Sequence, residues 1–140
     1  MLDTNVLSEF SRRGKPDAHV QRWWLAKTED KLLFTSVLAL AEIRQGIELC
    51  DPGKRRAALE EWLEQNLRRT FEARLLPVTQ AVADRWAVLS ARMQRRGTPL
   101  ATIDGLIGAT ALEHGLTLTT RNVRDFSGLG VEIFNPWDTT

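Results

Sequence analysis

Short apolar runs alternate along this chain with longer segments of helical period, and this alternation limits the possible folds more than any other feature. The strand candidates are Met1-Leu2, KLLFTS (31–36), RLLPVT (74–79), LTLTT (116–120) and VEIF (131–134). Strands that alternate with helices favour a parallel sheet with helices on both faces. We therefore predict an α/β fold, a three-layer α/β/α sandwich around a mainly parallel central sheet of four to five short strands.

Two strand candidates carry further information about the sheet. Met1-Leu2 leaves almost no first strand before Asp3, so this strand is either very short or begins upstream of the sequence. Pro77 lacks the N–H group that a central strand needs, which favours an edge position for the RLLPVT strand.

Five segments place apolar residues at the spacing of one helix face. They are PDAHVQRWWLAK (16–27), SVLALAEIRQGIELC (36–50), KRRAALEEWLEQNLRRTF (54–71), TQAVADRWAVLSARMQRR (79–96) and TIDGLIGATALEHG (102–115). Asp17 and Ser36 are suitable residues for helix starts, and Gly97 and Gly115 for helix ends.

The composition is that of an ordinary globular domain. The 140 residues predict a single domain over 1–140, and a formal net charge of +1 means that any basic surface is local. Cys50 is the only cysteine, which excludes an intrachain disulfide and favours a reducing, cytoplasmic compartment. No apolar run approaches the roughly 20 residues of a membrane span, so we expect no membrane partner.

Several acidic or amide residues follow the predicted strands at the end where each strand stops. Asp3 comes directly after the first strand, Asp104 begins the helix that leads into LTLTT, and Asn122 and Asp125 follow LTLTT. In an open parallel sheet, ligands bind at the carboxyl ends of the strands. We therefore expect these side chains to lie close together.

Glu42 lies six residues beyond the second strand, inside a predicted helix. Helical offsets of four and seven place it on one face with Leu38 and Leu49. Its carboxylate is therefore predicted to point along an apolar stripe toward protein, an unusual place for a solvated glutamate.

Carboxylates gathered at one sheet edge repel each other, and a divalent cation relieves that repulsion. Oxygen ligands select Mg²⁺ or Mn²⁺ over zinc, and His19 and His114 offer no zinc-like spacing. Such ions serve phosphodiester hydrolysis because they lower the pKa of water and neutralise phosphoryl charge. Thr4, Asn5 and Ser8 are candidates to hydrogen-bond the carboxylates or metal waters.

Each acid also has an ordinary structural explanation. Asp3 and Asp104 could cap helices, Glu42 could extend to water, and Asp125 could be a loop residue. The joint pattern favours a site, because chance would not place several carboxylates at the same end of successive strands.

The motifs LDTNVLSE, TSVLALAEIRQGI, IDGLIGATALEHGLTLTTRNVRDF and the closing NPW resemble a PIN domain. The similarity covers essentially the whole chain and is greatest to VapC-type toxins, including FitB-like members, of toxin–antitoxin pairs. The resemblance implies a ribonuclease that uses acids around Mg²⁺ or Mn²⁺. It also implies a cognate antitoxin with a segment in a groove on the toxin, and a homodimer.

When the family's motifs are matched to this sequence, the first three acids correspond to Asp3, Glu42 and Asp104. The resemblance implies that these three residues are metal ligands. Thr4 and Ser36 match polar residues that support the family's acids. The resemblance to the PIN fold agrees with the α/β prediction made from the alternating pattern.

At the fourth acidic position this sequence departs from the family pattern. Many members carry an aspartate two residues after the threonine that ends the fourth strand, and here that residue is Asn122. An amide offers a neutral oxygen and no charge, so a second metal would bind more weakly. Either Asn122 or Asp125 is the candidate for this position. The sequence is compatible with one bound metal ion or with two.

Arginines and tryptophans indicate surfaces for partners. Arg121 and Arg124 flank the predicted acids and are candidates to contact the RNA phosphates. The adjacent Trp23 and Trp24 point about 100° apart on a helix, so either one is exposed at an interface or both tuck under a helix end.

The sequence is compatible with several functions. The first is a metal-dependent endoribonuclease, and the second is a PIN-like module that binds RNA or protein with weak or no catalysis, which Asn122 favours. A DNA-directed nuclease would share the chemistry. A phosphoacceptor receiver domain is disfavoured because no mid-chain aspartate at a strand end is paired with a strand-end lysine.

Overall fold

A computed structural model describes residues 1–11, 14–28 and 32–138. Within these ranges, four strands of two residues each are β1 (Thr35–Ser36), β2 (Leu75–Leu76), β3 (Leu118–Thr119) and β4 (Ile133–Phe134). Leu2 pairs in parallel with Thr35 on one side and Thr119 on the other, which gives the order β2–β1–Leu2–β3–β4. The predicted parallel sheet is confirmed, with β2 at an edge as Pro77 indicated.

The strands are shorter than the apolar runs suggested. One helix starts directly after Leu2 and Asp3, and another starts directly after β1. Asp3 and Ser36 are the N-caps of these two helices. Backbone hydrogen bonds from Thr119 N–H to the Met1 carbonyl at 2.8 Å and from Asp3 N–H to the Thr119 carbonyl at 2.9 Å fix the central register. Lys31, at the start of the KLLFTS run, lies outside the described residues.

The helices follow the predicted segments closely. They are α1 (Thr4–Glu9), α2 (Ala18–Thr28), α3 (Val37–Glu48), α4 (Lys54–Glu61), α5 (Arg68–Thr70), α6 (Gln80–Arg95), α7 (Thr102–Glu113) and α8 (Val123–Phe126). The predicted start signals hold, since the side chain of Asp17 accepts from His19 N–H and that of Ser36 from Leu38 N–H. Gly97 and Gly115 end α6 and α7 with φ of +75° and +62°.

Two segments differ from the prediction. The region predicted as one helix over 54–71 is helical, but Trp62–Leu67 between α4 and α5 has π-helical hydrogen bonding. The VRDF segment, expected to be a loop, forms the one-turn helix α8. Helix α8 follows Asn122 and places Asp125 near the end of β3.

Helices cover both faces of the sheet, as the three-layer prediction requires. On one face Leu2 is fully buried in a core formed mainly by α1, α3 and the π-helical segment. On the other face Met1 and Leu118 are buried with residues of α7 and α8, among them Ile107 and Phe126. The alternation of side chains along a strand accounts for this division.

Helices α6 and α7 pack closely beside the second core. A Cβ atom at Gly105 would lie 2.8 Å from Leu100 Cδ2 and 2.8 Å from Trp86 Cδ1. A larger residue at this position, immediately after Asp104, would therefore force Leu100 or Trp86 to shift. The contact fixes the first turn of α7, on which Asp104 lies.

Trp23 and Trp24 are both half-buried. The ring of Trp24 lies 4.5 Å from that of Phe10, and the ring of Trp23 lies 5.7 Å from that of Phe134, measured between centroids. Both rings therefore pack partly against the protein, and neither is fully exposed. Within the described ranges, no helix combines the length and apolar character needed to cross a membrane.

Candidate active site

Asp3 lies at the carboxyl edge of the sheet because it directly follows Leu2, the central strand residue. Its side chain is only 4% exposed. One carboxylate oxygen, Oδ1, accepts the N–H of Thr4 at 2.8 Å and so caps α1. The other, Oδ2, accepts the hydroxyl of Thr120 at 2.8 Å and the amide of Asn5 at 3.4 Å. Asp3 is thus a helix cap and an edge carboxylate at once.

Burial raises the pKa of Asp3 above its ordinary value, and the negative charges of Glu42 and Asp125 raise it further. The hydrogen bonds from Thr120 and Thr4 act in the opposite direction, because they stabilise the ionised form. A carboxylate so deeply buried with like charges nearby is costly for the fold. This cost is typical of a site that serves a ligand.

Glu42 is half-buried on α3, and its Oε1 accepts the hydroxyl of Thr4 at 2.6 Å. This contact joins α3 to the start of α1, directly beside Asp3. The prediction that Glu42 shares an apolar stripe with Leu49 is wrong, since Leu49 is 80% exposed. Leu49 is the C-cap of α3 and lies past the part of the helix that packs on the sheet.

Asp104 occupies the first turn of α7 and is half-buried. Its pKa is raised to about 6, first by burial and then by the charges of Asp3, Glu42 and Asp125. The N-cap position of α7 belongs to Ala101, so the explanation of Asp104 as the N-cap is wrong. Asp3, Glu42, Asp104 and Asp125 therefore interact electrostatically, and we call these four residues the acidic cluster.

Asp125 is an exposed residue of α8. Together with Asp104 and Arg124 it lines a cleft of about 260 Å³ next to the loop that precedes α7. Asn122 occupies the N-cap position of α8, and its backbone N–H donates to Thr120 Oγ1 at 3.0 Å. Of the two candidates for the fourth position, Asp125 contributes charge to both Asp3 and Asp104.

Thr120 is a polar residue of the site to which the sequence analysis gave no role, although it ends the LTLTT strand. Its fully buried hydroxyl donates to Asp3 and accepts from the backbone of Asn122 and the side chain of Asn5 at 3.1 Å. The sequence feature that could have identified Thr120 is its position as the last residue of LTLTT, where a parallel strand reaches the carboxyl edge of the sheet. Ser36, by contrast, supports the site indirectly, because it caps the helix that carries Glu42.

The donors of the acidic cluster are all carboxylate oxygens, which suit a hard cation such as Mg²⁺ or Mn²⁺. Among the described residues, no lysine or arginine forms an ion pair with any of the four. In the same part of the chain, no three or more histidine, cysteine, aspartate or glutamate side chains form a ready ligand group. The carboxylate oxygens thus have the chemistry that a divalent cation needs, although no three of them come close enough together in the described residues to form such a group.

Arg121 and Arg124, the arginines predicted to contact RNA, have different surroundings in the structure. Arg124 lines the cleft that contains Asp104 and Asp125. Arg121 places its guanidinium carbon 5.3 Å from the centroid of the Trp137 ring. Both arginines are exposed to solvent.

The PIN domain family model matches residues 1–131. The chain belongs to the PIN domain family. This finding confirms the family resemblance of the sequence motifs and explains why helices and parallel strands alternate throughout.

Three relatives match this PIN domain along nearly their whole length. The plasmid stability protein StbB of Pseudomonas syringae pv. tomato is 38% identical over 99% of this chain and 98% of its own. The toxin FitB of Neisseria gonorrhoeae is 37% identical over 98% of this chain and 97% of its own. The VapC ribonuclease Y4jK of Sinorhizobium fredii is 34% identical over 99% and 97%.

Solved structures are also similar to this chain along nearly its whole length. The crystal structure of FitAcB from Neisseria gonorrhoeae has a TM-score of 0.85 and 37% identity, covering 99% of this chain and 98% of the other. The similarity to VapC and FitB toxins expected from the motifs is confirmed.

Proposed function

We propose that this PIN domain is a metal-dependent endoribonuclease and the toxin of a toxin–antitoxin pair. The observation that carries the proposal is the buried carboxylate of Asp3 at the carboxyl edge of the sheet, with Glu42 held beside it by Thr4 and with Asp104 and Asp125 together in one cleft. Burial and the charges of these acids raise the pKa of Asp3 and of Asp104. Similarity to a toxin and to a VapC ribonuclease supports the same assignment. The reaction is hydrolysis of an RNA phosphodiester bond.

Asp3, Glu42 and Asp104 are the proposed ligands of Mg²⁺ or Mn²⁺. When bound, the cation supplies positive charge to the phosphoryl oxygens and lowers the pKa of the attacking water. Thr120 and Thr4 hold the carboxylates of Asp3 and Glu42 in place by their hydroxyl groups. The hydrogen bond from Thr120 favours the ionised form of Asp3, so it keeps this carboxylate ready for a cation.

We assign the fourth acidic position to Asp125. Its charge acts on both Asp3 and Asp104, and it shares the cleft with Asp104. In this assignment Asn122 positions helix α8 and the hydroxyl of Thr120 through its backbone. Arg124, in the same cleft, neutralises an RNA phosphate.

The proposed antitoxin occupies an apolar groove between α1, α2 and the π-helical segment. The groove has a volume of about 190 Å³ and is lined by Leu7, Phe10, Trp24, Trp62, Asn66, Leu67, Thr70 and Phe71. Two tryptophans in one groove suit the apolar anchor of a partner segment. We further propose that the toxin acts as a homodimer in the cytoplasm, where the single cysteine Cys50 stays reduced.

A PIN-like binding module with weak or no catalysis is the second candidate function. The presence of Asn122 where many family members carry an acid favours it, because one negative charge is missing from that position. This module would contact RNA or protein through the same surfaces.

Incubation of the purified protein with structured RNA tests the proposal. We expect cleavage with Mn²⁺ or Mg²⁺, none with EDTA, and loss of cleavage in Asp104→Asn. Asp84→Asn is the matched control, because it makes the same chemical change on the exposed face of α6. Intact RNA at high protein concentration with both metals, together with retained RNA binding, would establish the binding module instead.

A further inference from the structure

Arg121 is tied to the acidic cluster through its backbone. Its N–H donates to Oδ1 of Asn5 at 3.2 Å. The amide group of the same Asn5 donates to Thr120 Oγ1 at 3.1 Å and to Asp3 Oδ2 at 3.4 Å. The backbone of Arg121 is thus linked to the carboxylate of Asp3 by two successive hydrogen bonds, whereas its side chain is exposed to solvent.

The guanidinium of Arg121 rests on a fixed aromatic surface. Trp137 is half-buried and packs against the core that contains Leu2. Its backbone N–H donates to Oδ1 of Asn135 at 3.1 Å, in the turn that directly follows β4. The guanidinium carbon lies 5.3 Å from the ring centroid, within the range of a cation–π interaction. The indole therefore limits the positions that the Arg121 side chain adopts.

Arg121 also differs from other arginines of the chain in its charge partners. Arg56, Arg68 and Arg85 each form an ion pair with a glutamate. Among the residues that the structure describes, no carboxylate forms an ion pair with Arg121. The N–H groups of a guanidinium without a carboxylate partner match the oxygens of a phosphate.

We propose that Trp137 is a positioning residue that holds Arg121 as a contact for a phosphate of the RNA backbone beside the acidic cluster. This inference rests on the proposed function and names the part of the site that anchors its substrate. Arg121 lies on the Asn5 side of Asp3, and Arg124 lies in the cleft with Asp104.

RNA binding without metal tests the role of Arg121. The Asp104→Asn variant in EDTA, mixed with a short fluorescein-labelled single-stranded RNA, gives the dissociation constant by anisotropy at several salt concentrations. Arg121→Ala is expected to weaken binding and to lower the slope of log K against log salt by about 0.7, the value for one phosphate contact on a single strand. Arg69→Ala, which removes an exposed arginine of α5, is the control and should leave the slope unchanged.

Two substitutions at Trp137 separate positioning from packing. Trp137→Phe keeps an aromatic face and Trp137→Leu removes it, while both leave an apolar side chain in the half-buried position. A cation–π contact at an exposed site predicts that the Leu variant binds RNA roughly two- to fivefold more weakly than the Phe variant. In the Arg121→Ala background the two variants should bind equally.

Equal RNA affinity of the Phe and Leu variants with Arg121 present would overturn the positioning role of Trp137. A salt slope that falls as much in Arg69→Ala as in Arg121→Ala would overturn the phosphate contact. With Mn²⁺ and an otherwise native site, Arg121→Ala and Trp137→Leu should raise KM with kcat unchanged. If RNA binding follows these predictions but the unmodified protein never cleaves, the nuclease proposal fails and the phosphate contact stands.

Discussion

Replacement of Asp104 by asparagine is expected to stabilise the metal-free protein at neutral and higher pH. The carboxylate of Asp104 interacts unfavourably with Asp3, Glu42 and Asp125, and it is partly desolvated. The neutral amide has nearly the same shape but carries no charge. Loss of an acidic residue that belongs to the site should therefore increase the free energy of unfolding, whereas it should abolish catalysis.

The size of this effect follows from the pKa of Asp104. A rise from 3.8 to about 6 would correspond to about 3 kcal/mol for a fully shielded group. Asp104 is only half-buried, and solvent screening reduces the expected gain to about 1 kcal/mol. For a chain of 140 residues that gain corresponds to an increase in Tm of about 3 °C.

The pH dependence gives the sign of the effect. Because the folded-state pKa is raised, the native state binds more protons than the unfolded state between about pH 4 and 6. The free energy of unfolding of the metal-free wild type therefore falls as pH rises through this window. Above the window, Asp104 causes no further change in stability with pH. The advantage of Asp104→Asn should be small at pH 4 and complete above pH 6.

Urea unfolding in EDTA at pH 4.5, 6 and 8 measures this difference, with Asp84→Asn as the control for removal of an exposed carboxylate. A gain for Asp104→Asn that grows with pH supports the electrostatic account. A variant that is less stable than wild type at pH 8, or a difference that does not change with pH, would refute it.

Three further predictions concern the metal, the support of Asp3 and the packing beside Asp104. Saturating Mn²⁺ should raise the Tm of the wild type, because a ligand present at about 100 times its Kd adds about 2.7 kcal/mol, and EDTA should reverse the increase. Thr120→Val removes the hydroxyl that donates to Asp3. It should lower the free energy of unfolding in urea at pH 8 by about 1–3 kcal/mol and weaken Mn²⁺ binding. Unchanged stability and Mn²⁺ affinity would show that this hydrogen bond does not hold the carboxylate. Gly105→Ala forces its Cβ against Trp86 and Leu100 and should lower the free energy of unfolding by about 1–3 kcal/mol, whereas Gly46→Ala, where the added Cβ meets open space, should not.

The sequence indicated which acids lie near one another where a simple geometric rule applies. The carboxyl ends of parallel strands meet at one edge, so Asp3, Asp104 and Asp125 could be placed together from the order of strands and helices alone. For Glu42, its position on the helix that follows Ser36 predicted that its carboxylate points toward the protein. The structure confirms the parallel sheet and shows electrostatic interaction among these acids.

Other features depend on contacts between distant segments and could not be read from spacing. The hydroxyl of Thr120 reaches Asp3 across 117 positions of the chain. Nothing local identifies Trp137 as the tryptophan that lies under Arg121. The π-helical segment Trp62–Leu67 also gave no signal, because over so few residues its apolar spacing resembles that of an α-helix.

Mn²⁺ binding measured by electron paramagnetic resonance tests the central claim, that acids from distant segments converge to hold a divalent cation, most directly. We predict that the wild type and Asp84→Asn bind Mn²⁺ and that Asp3→Asn, Glu42→Gln and Asp104→Asn each bind it at least tenfold more weakly. Equal Mn²⁺ affinity in all five proteins, or no binding by the folded wild type, would contradict this claim.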